Sequence, residues 1–492
     1  MEENLKTKNK NLWCFSAGTV GRDMIYQLYT NFTMLYILFT KHLTAGQLAA
    51  ITAIMIAARV FDALNDPLMG NLIEHTRSRW GKFKPWLLAG VITSGLVVFF
   101  TFNNDLEGNA FVVFFAFMYF CYSITYTMSD ISYWGMIPSL AHDADSRNQF
   151  TSRATLFAGI GGTLASVLIP TFTTGSLAIG GNAKTAYGVM ALIIALLTPI
   201  FMCFTLFGVK EEKISDNTPA APISIKKIVS VMFGNEEVRA VAIVFILQQV
   251  GNGIITGGLG ANYVYFTFGY AGGLWGLFTT IGMSATAVMM VVYPIIARKI
   301  DRKPLMKIMT LVSACGYACM LLIGLVPGDG MIKFAVFVLG YMAANIGQFT
   351  FYLILMISIT NTVEYNELVS GSRDEAIITS LRPFITKMAS AIIVLGTNLI
   401  FIISGILNET NKISDIETAC NSGSITDAEK NAKIAEVIAN IDPSKSIILL
   451  VIMTVASFAL MYAANRIYQK KCSLDEKRYK EICEELEQRK NK

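Results

Sequence analysis

Twelve apolar runs follow one another along this 492-residue chain, each near or above the roughly 20 residues that a helix needs to cross about 30 Å of hydrocarbon. They fall at about 12–40, 46–73, 85–103, 109–139, 153–180, 185–209, 237–268, 271–296, 305–326, 331–361, 376–406 and 445–468. Lipid offers the backbone no hydrogen-bond partners, so open strands are excluded and helices are the element that fits. Composition points the same way: 53% of residues are hydrophobic and 15% charged, where a soluble domain carries about 25% charge. A water-soluble chain of about three domains, which length alone suggests, is nearly excluded. The fold class expected is an all-α membrane protein with twelve transmembrane helices.

The connections after even-numbered runs are basic: Arg77, Arg79, Lys82 and Lys84; Lys210, Lys213, Lys226 and Lys227; Arg298, Lys299, Arg302, Lys303 and Lys307. Positive residues stay cytoplasmic, so these loops, the Lys-rich residues 1–11 and the charged tail 469–492 are expected inside. The net charge of +5 is thus a topology signal and does not call for nucleic acid. Residues 1–11 and the long run after them lack a cleavage site, so no secretory signal is expected. The two Lys-Pro pairs, Lys84-Pro85 and Lys303-Pro304, sit in similar basic segments 219 residues apart, as expected for two six-helix halves. The halves expected are 12–209 and 237–468, joined by a cytoplasmic linker at 210–236. Within the second, 407–444 reads as an extracellular loop in which Thr426-Asp427-Ala428-Glu429 opens a short amphipathic helix. Residues 473–492 read as a solvated helix.

Catalytic signatures do not appear. The eight cysteines form no C-x-x-C pair and mostly lie in apolar stretches. His42, His75 and His142 map to loops or span ends, which argues against a histidine relay. There is no nucleophile elbow, Walker loop or metalloprotease helix. The chain is not expected to be an enzyme, and no cofactor is expected.

Ionisable groups at membrane depth are costly and therefore functional candidates. Asp23 lies in span one, Asp62 and Asp66 in span two, Asp130 in span four and Lys387 in span eleven. Asp62 and Asp66 are four apart and share a helix face; Thr127 and Asp130 could turn toward the same space. Hard oxygen ligands suit a small cation, and a carboxylate could equally take a proton. The plainer reading is that Arg59 pairs with Asp62 and glues helices. Tyr126 and Trp134 flank Asp130 one turn away on each side, and Tyr26 and Gln27 follow Asp23. A carboxylate beside an aromatic plate suits a sugar, although such rings also pack helices.

The stretch Phe61-Asp62-Ala63-Leu64-Asn65-Asp66-Pro67-Leu68-Met69-Gly70, continuing through Thr76-Arg77-Ser78-Arg79-Trp80-Gly81-Lys82-Phe83-Lys84-Pro85-Trp86, closely resembles the glycoside-pentoside-hexuronide:cation symporters. Tyr126-Thr127-Met128-Ser129-Asp130 with Trp134 and Pro138 is a second match, and Glu364-Tyr365 through Gly371-Ser372-Arg373 to Lys387 a third. The resemblance spans all twelve runs. It implies the major facilitator fold and coupling of sugar entry to Na+, Li+ or H+. It also implies that Asp62, Asp66 and Thr127 form the cation site, that Asp23, Asp130, Tyr126 and Trp134 bind sugar, and that Lys387 faces both. Tyr26, Arg153 and Tyr352 complete the expected sugar set. Span eleven departs from the family pattern, with Arg382-Pro383 in place of an amide and a hydroxyl residue; Arg382 could favour an acidic sugar, and snorkelling toward the cytoplasm is the preferred reading.

These readings converge on a secondary transporter of a glycoside, oligosaccharide, pentoside or hexuronide, working as a monomer in the plasma membrane. A lysolipid symporter of the same fold and a non-transporting sugar sensor are the alternatives.

Overall fold

The structure, a computed structural model, describes residues 2–141, 144–210, 234–371 and 375–490. His142, Lys213, Lys226, Lys227, Ser372 and Arg373 lie outside the described residues. All regular structure among the described residues is helical. Among the described residues, eleven helices are long and apolar enough to cross a membrane, and these match expected spans two to twelve. Span one is a continuous run of Glu2–Gln27, a π-helical stretch Leu28–Phe32, and Thr33–Thr40.

Helix ends follow local chemistry. Thr44 and Gln47 form a capping box at the start of Ala45–His75, Asn182 caps Ala183–Gly208, and Pro85 sits in the first turn of Lys84–Phe102. Gly371, at φ 72°, ends the 40-residue helix Met331–Ser370 in the left-handed conformation that glycine adopts freely. That helix runs nine residues past its expected end, because Glu364 and Glu367 break the hydropathy pattern without breaking the helix.

Solvent preference is written on the surfaces. Ala183–Gly208 buries Tyr187, Ala191, Ile194 and Thr198 and exposes Leu192, Leu196, Ile200 and Phe204 at four-residue intervals. A stripe of that length would drive aggregation in water and is satisfied by lipid.

The chain divides into two compact units, one of Met1–Pro222, Tyr270–Gly276 and Phe401–Ile441, the other of Ile223–Gly269, Leu277–Ile400 and Asp442–Lys492. In the first, Glu2–Gln27 packs on Ala144–Thr173 and Ala183–Gly208, and Gly108–Gly135 packs on Ala45–His75 and Lys84–Phe102. Phe15, Leu87, Tyr133, Met136, Phe150 and Met202 are part of its core. In the second, Met331–Ser370 packs on Arg302–Leu325 and on Glu236–Ile254, which also meets Ser457–Lys471. Phe245, Met306, Phe351, Met461 and Tyr468 lie at its centre.

Close helix approach rests on small residues. A Cβ at Gly161 would stand 2.3 Å from the Val20 carbonyl oxygen, an obstacle of backbone that no rotamer change relieves. Gly161→Val is expected to separate Ala144–Thr173 from span one and lower the yield of folded protein severalfold, read by size-exclusion chromatography in detergent.

Two segments differ from expectation. The capping box at Thr426 and Glu429 and its helix Asp427–Ala439 are present, but a second helix, Ile406–Asn421, precedes it, and Phe401–Ile441 packs with the first unit although its sequence position lies in the second half. Glu476–Lys490 is helical as expected, yet it is docked as well as solvated: Leu474, Ile482 and Leu486 pack with Tyr365 and Leu368, and Glu476 accepts from the Arg302 side chain at 2.6 Å.

Candidate functional site

Span one carries an arginine at membrane depth beside the aspartate that the sequence reading singled out. Arg22 is 3% exposed. Its two terminal nitrogens separate toward two carboxylates: one donates to Asp130 Oδ1 at 2.7 Å, the other to Asp23 Oδ2 at 3.0 Å. Thr19 also donates to Asp23 Oδ2, at 2.7 Å. The guanidinium carbon lies 4.7 Å from the Tyr133 ring centre and 5.1 Å from that of Trp134, and Tyr133 is fixed by its hydroxyl donating to the Phe15 carbonyl. One cation thus gathers two acids and two rings from spans one and four. The Asp130 side chain remains 38% exposed and that of Asp23 21%, so both keep a polar face toward solvent while one arginine offsets one of their two charges.

Tyr26 and Tyr126 lie beside this group, with ring centres 5.3 Å apart. Tyr126 stacks further on Tyr122, and Tyr122 on Tyr29. Asp23, Tyr26, Tyr126, Asp130 and Trp134 therefore come together as one wall of the first unit.

A second group lies on the same unit, between Ala45–His75 and Gly108–Gly135. Ser123 donates to Asp62, and Thr127 donates to Asp66 at 3.4 Å. Ser123 and Thr127 are four apart, as are Asp62 and Asp66, and the offset between the helices is constant. The two helices thus present matched rungs, carboxylate against hydroxyl, one turn apart. Arg59 reaches Asp62 at 3.8 Å, but the two are three apart on one helix, so the pair joins no helices, and one arginine carries one charge against the two of the acid pair. Two carboxylates and two hydroxyls make an all-oxygen donor set of the kind hard cations take.

The expectation that Asp130 would turn toward the same space as Asp62 and Asp66 is corrected on one point: its carboxylate is taken by Arg22, while the Asp62–Asp66 pair recruits Ser123 and Thr127. Ser123 was legible, being one turn before Thr127 on the face that meets span two.

Arg153 does not belong to the Arg22 group. Its guanidinium lies 4.5 Å from the Trp13 ring centre, a stacked contact near the other end of span one. In the second unit, Arg382 is exposed and donates to the Tyr352 hydroxyl at 2.9 Å, which ties it to an expected sugar residue. Lys387 is half-buried on the same helix, Glu375–Ile403.

Solved structures that share this fold include transporters. The chain superposes on the nucleoside transporter NupG with a TM-score of 0.58 at 13% identity, covering 94% of this chain and 100% of that one. On the D-xylose-proton symporter the TM-score is 0.59 at 13% identity, covering 91% and 97%. Residues 14–423 match the family described as MFS/sugar transport protein. The chain is 26% identical to lactose permease of Lactobacillus helveticus, covering 96% of this chain and 71% of that protein, and 26% identical to lactose permease of Leuconostoc lactis, covering 77% and 60%. With the raffinose carrier protein of Pediococcus pentosaceus it shares 27% identity, covering 84% and 64%. The chain thus spans about three fifths of the length of the Leuconostoc relative. Fold and family match define a membrane protein of the major facilitator superfamily. The chain belongs to the glycoside-pentoside-hexuronide:cation symporter family within it.

Proposed function

We propose that this protein is a cation-coupled sugar symporter of the plasma membrane, acting as a monomer with both termini and the basic loops cytoplasmic and residues 407–444 outside. The sugar is a glycoside or oligosaccharide held by the Arg22 group, and the coupling ion, Na+ or H+, sits among Asp62, Asp66, Ser123 and Thr127. The observation that supports this most is that one helix, Gly108–Gly135, carries Ser123 and Thr127 on the acid pair and Asp130 and Trp134 on Arg22.

On this scheme the cation neutralises the acid pair and draws Gly108–Gly135 against span two, which sets the position of Asp130 and Trp134 for sugar. Sugar hydroxyls then donate to the exposed edges of Asp23 and Asp130, which Arg22 holds in place, while an apolar sugar face lies on the aromatic wall. Each ligand tightens the other by the same factor, as linkage requires, typically through about 1–3 kcal/mol of coupling. Tyr352, Arg382 and Lys387 are proposed as sugar residues of the second unit, and alternating access as the transport step.

Uptake of a panel of glycosides by whole cells, with and without Na+ and at two pH values, tests the proposal. Accumulation above the external concentration that follows one ion is expected; binding without accumulation supports a sensor, and uptake of lysolipid alone would replace the cargo. Ser123→Ala removes one donor from Asp62 while leaving both carboxylates. It is expected to weaken activation by the cation two- to tenfold, about 0.5–1.5 kcal/mol, in the same assay.

A further inference from the structure

Residues 406–441, which the charge rule places outside, are bound to the first unit by polar contacts that are themselves buried. Asn411 grips the backbone of Leu43 from both sides, accepting from its N–H at 3.0 Å and donating to its carbonyl at 2.8 Å. Lys430, 1% exposed, donates to the carbonyls of Gly175 and Gly181. Those glycines, both at φ 81°, turn their carbonyls toward it in a conformation side chains resist. Glu417 is fully buried. Its Oε2 accepts from the N–H of Ala183 at 2.7 Å, the first residue of Ala183–Gly208, where a helix favours negative charge. Its Oε1 is buried and makes no close hydrogen bond, with the Tyr270 hydroxyl beside the carboxylate.

We propose that residues 406–441 form a clasp over the outer end of the first unit whose hold is set by external pH through Glu417. Only Oε2 holds a close hydrogen bond, and ionising the group while docked leaves the second charged oxygen in a buried site with the Tyr270 hydroxyl as its neighbour. The groups that face it are Lys430 and Asp427 from Asp427–Ala439, Cys420 from its own helix, Tyr187 from Ala183–Gly208 and Tyr270 from the segment Tyr270–Gly276. Lys430 is spent on the two glycine carbonyls, and burial outweighs its attraction, pushing the Glu417 carboxyl above the ordinary glutamate range. A released clasp returns Glu417 to water and to an ordinary pKa. The docked form therefore holds its proton to higher pH: docking is strongest in acid and weakens as pH rises through the raised pKa. Asp415 of the clasp also meets His42 at 2.9 Å, but both are more than half exposed, so that pair contributes little.

Hydrogen exchange by mass spectrometry on the full chain in nanodiscs reads the clasp directly, using protection factors of 406–421 corrected for intrinsic exchange from pH 4.5 to 8.5. In the unmodified protein protection is expected to fall by about tenfold for each pKa unit between docked and released carboxylate. Glu417→Gln, which keeps an acceptor for Ala183 and has no charge, is expected to hold high protection throughout. Asn411→Ala is expected to lower protection at every pH while leaving the slope. A flat profile in the unmodified protein overturns the proposal without recourse to any variant. A full slope persisting in E417Q overturns it as well and transfers the effect to His42 and Asp415.

Discussion

Arg22→Ala is expected to lower sugar affinity by about 30-fold or more and to lower thermal stability together with it. The guanidinium bonds to Asp23 and Asp130 at once and offsets one of their two charges, so its loss leaves two like charges facing each other beside a ring wall. Removing one partner of a hydrogen-bonded charge pair costs about 2–5 kcal/mol, and the partial exposure of both acids places the effect in the lower half of that range. Arg22→Lys keeps the charge but replaces a fork that reaches two carboxylates by a single nitrogen. It is expected to recover stability more than affinity. Equilibrium binding of a transported glycoside to purified protein, with a melting curve on the same sample, checks both. Unchanged affinity in the alanine variant would remove Arg22 from the sugar site.

Asp66→Asn is expected to abolish stimulation of uptake by the coupling ion, at least tenfold, while the protein remains folded. Asp66 accepts from the Thr127 hydroxyl, a bond that an amide of the same shape can also accept, so the substitution removes the charge and keeps the rung. Asp62→Asn is expected to have the same effect on coupling and a larger one on stability, because Arg59 then loses the carboxylate it reaches at 3.8 Å. Asp23→Asn provides the contrast: it sits on Arg22 and should weaken sugar binding with ion activation intact. Initial uptake rates against ion concentration, measured on the three variants in vesicles, separate the two sites. Ion dependence unchanged in Asp66→Asn and Asp62→Asn would contradict the assignment.

The apolar runs and the four acids were legible because each is a local signal. A span is a run of twenty residues, and a carboxylate at membrane depth stands out against it. The register that brings Ser123 to Asp62 and Thr127 to Asp66 is a property of two helices side by side, and only half of it could be read from the i, i+4 spacing. Arg22 was open to the same argument as Asp23, its neighbour, since an arginine there needs a partner as much as an aspartate does. The helix Ile406–Asn421 escaped for a different reason. Its buried face is Asn411, Ser414 and Glu417 among a few apolar residues, so a hydropathy pattern cannot find it. What makes that face is the set of backbone groups at Leu43 and Ala183, which sequence does not display. Arg153, expected in the sugar set, lies instead over the Trp13 ring, a contact between spans that no motif displays.

The central claim is that the ion among Asp62, Asp66, Ser123 and Thr127 organises the sugar wall around Arg22. Paired equilibrium titrations of purified protein test it: sugar affinity with and without the ion, and ion affinity with and without sugar, at fixed pH for Na+ and at two pH values for H+. One ion should tighten sugar by a factor of about 5–150, and sugar should tighten that ion by the same factor. Sugar affinity that is identical with and without either ion would contradict the account.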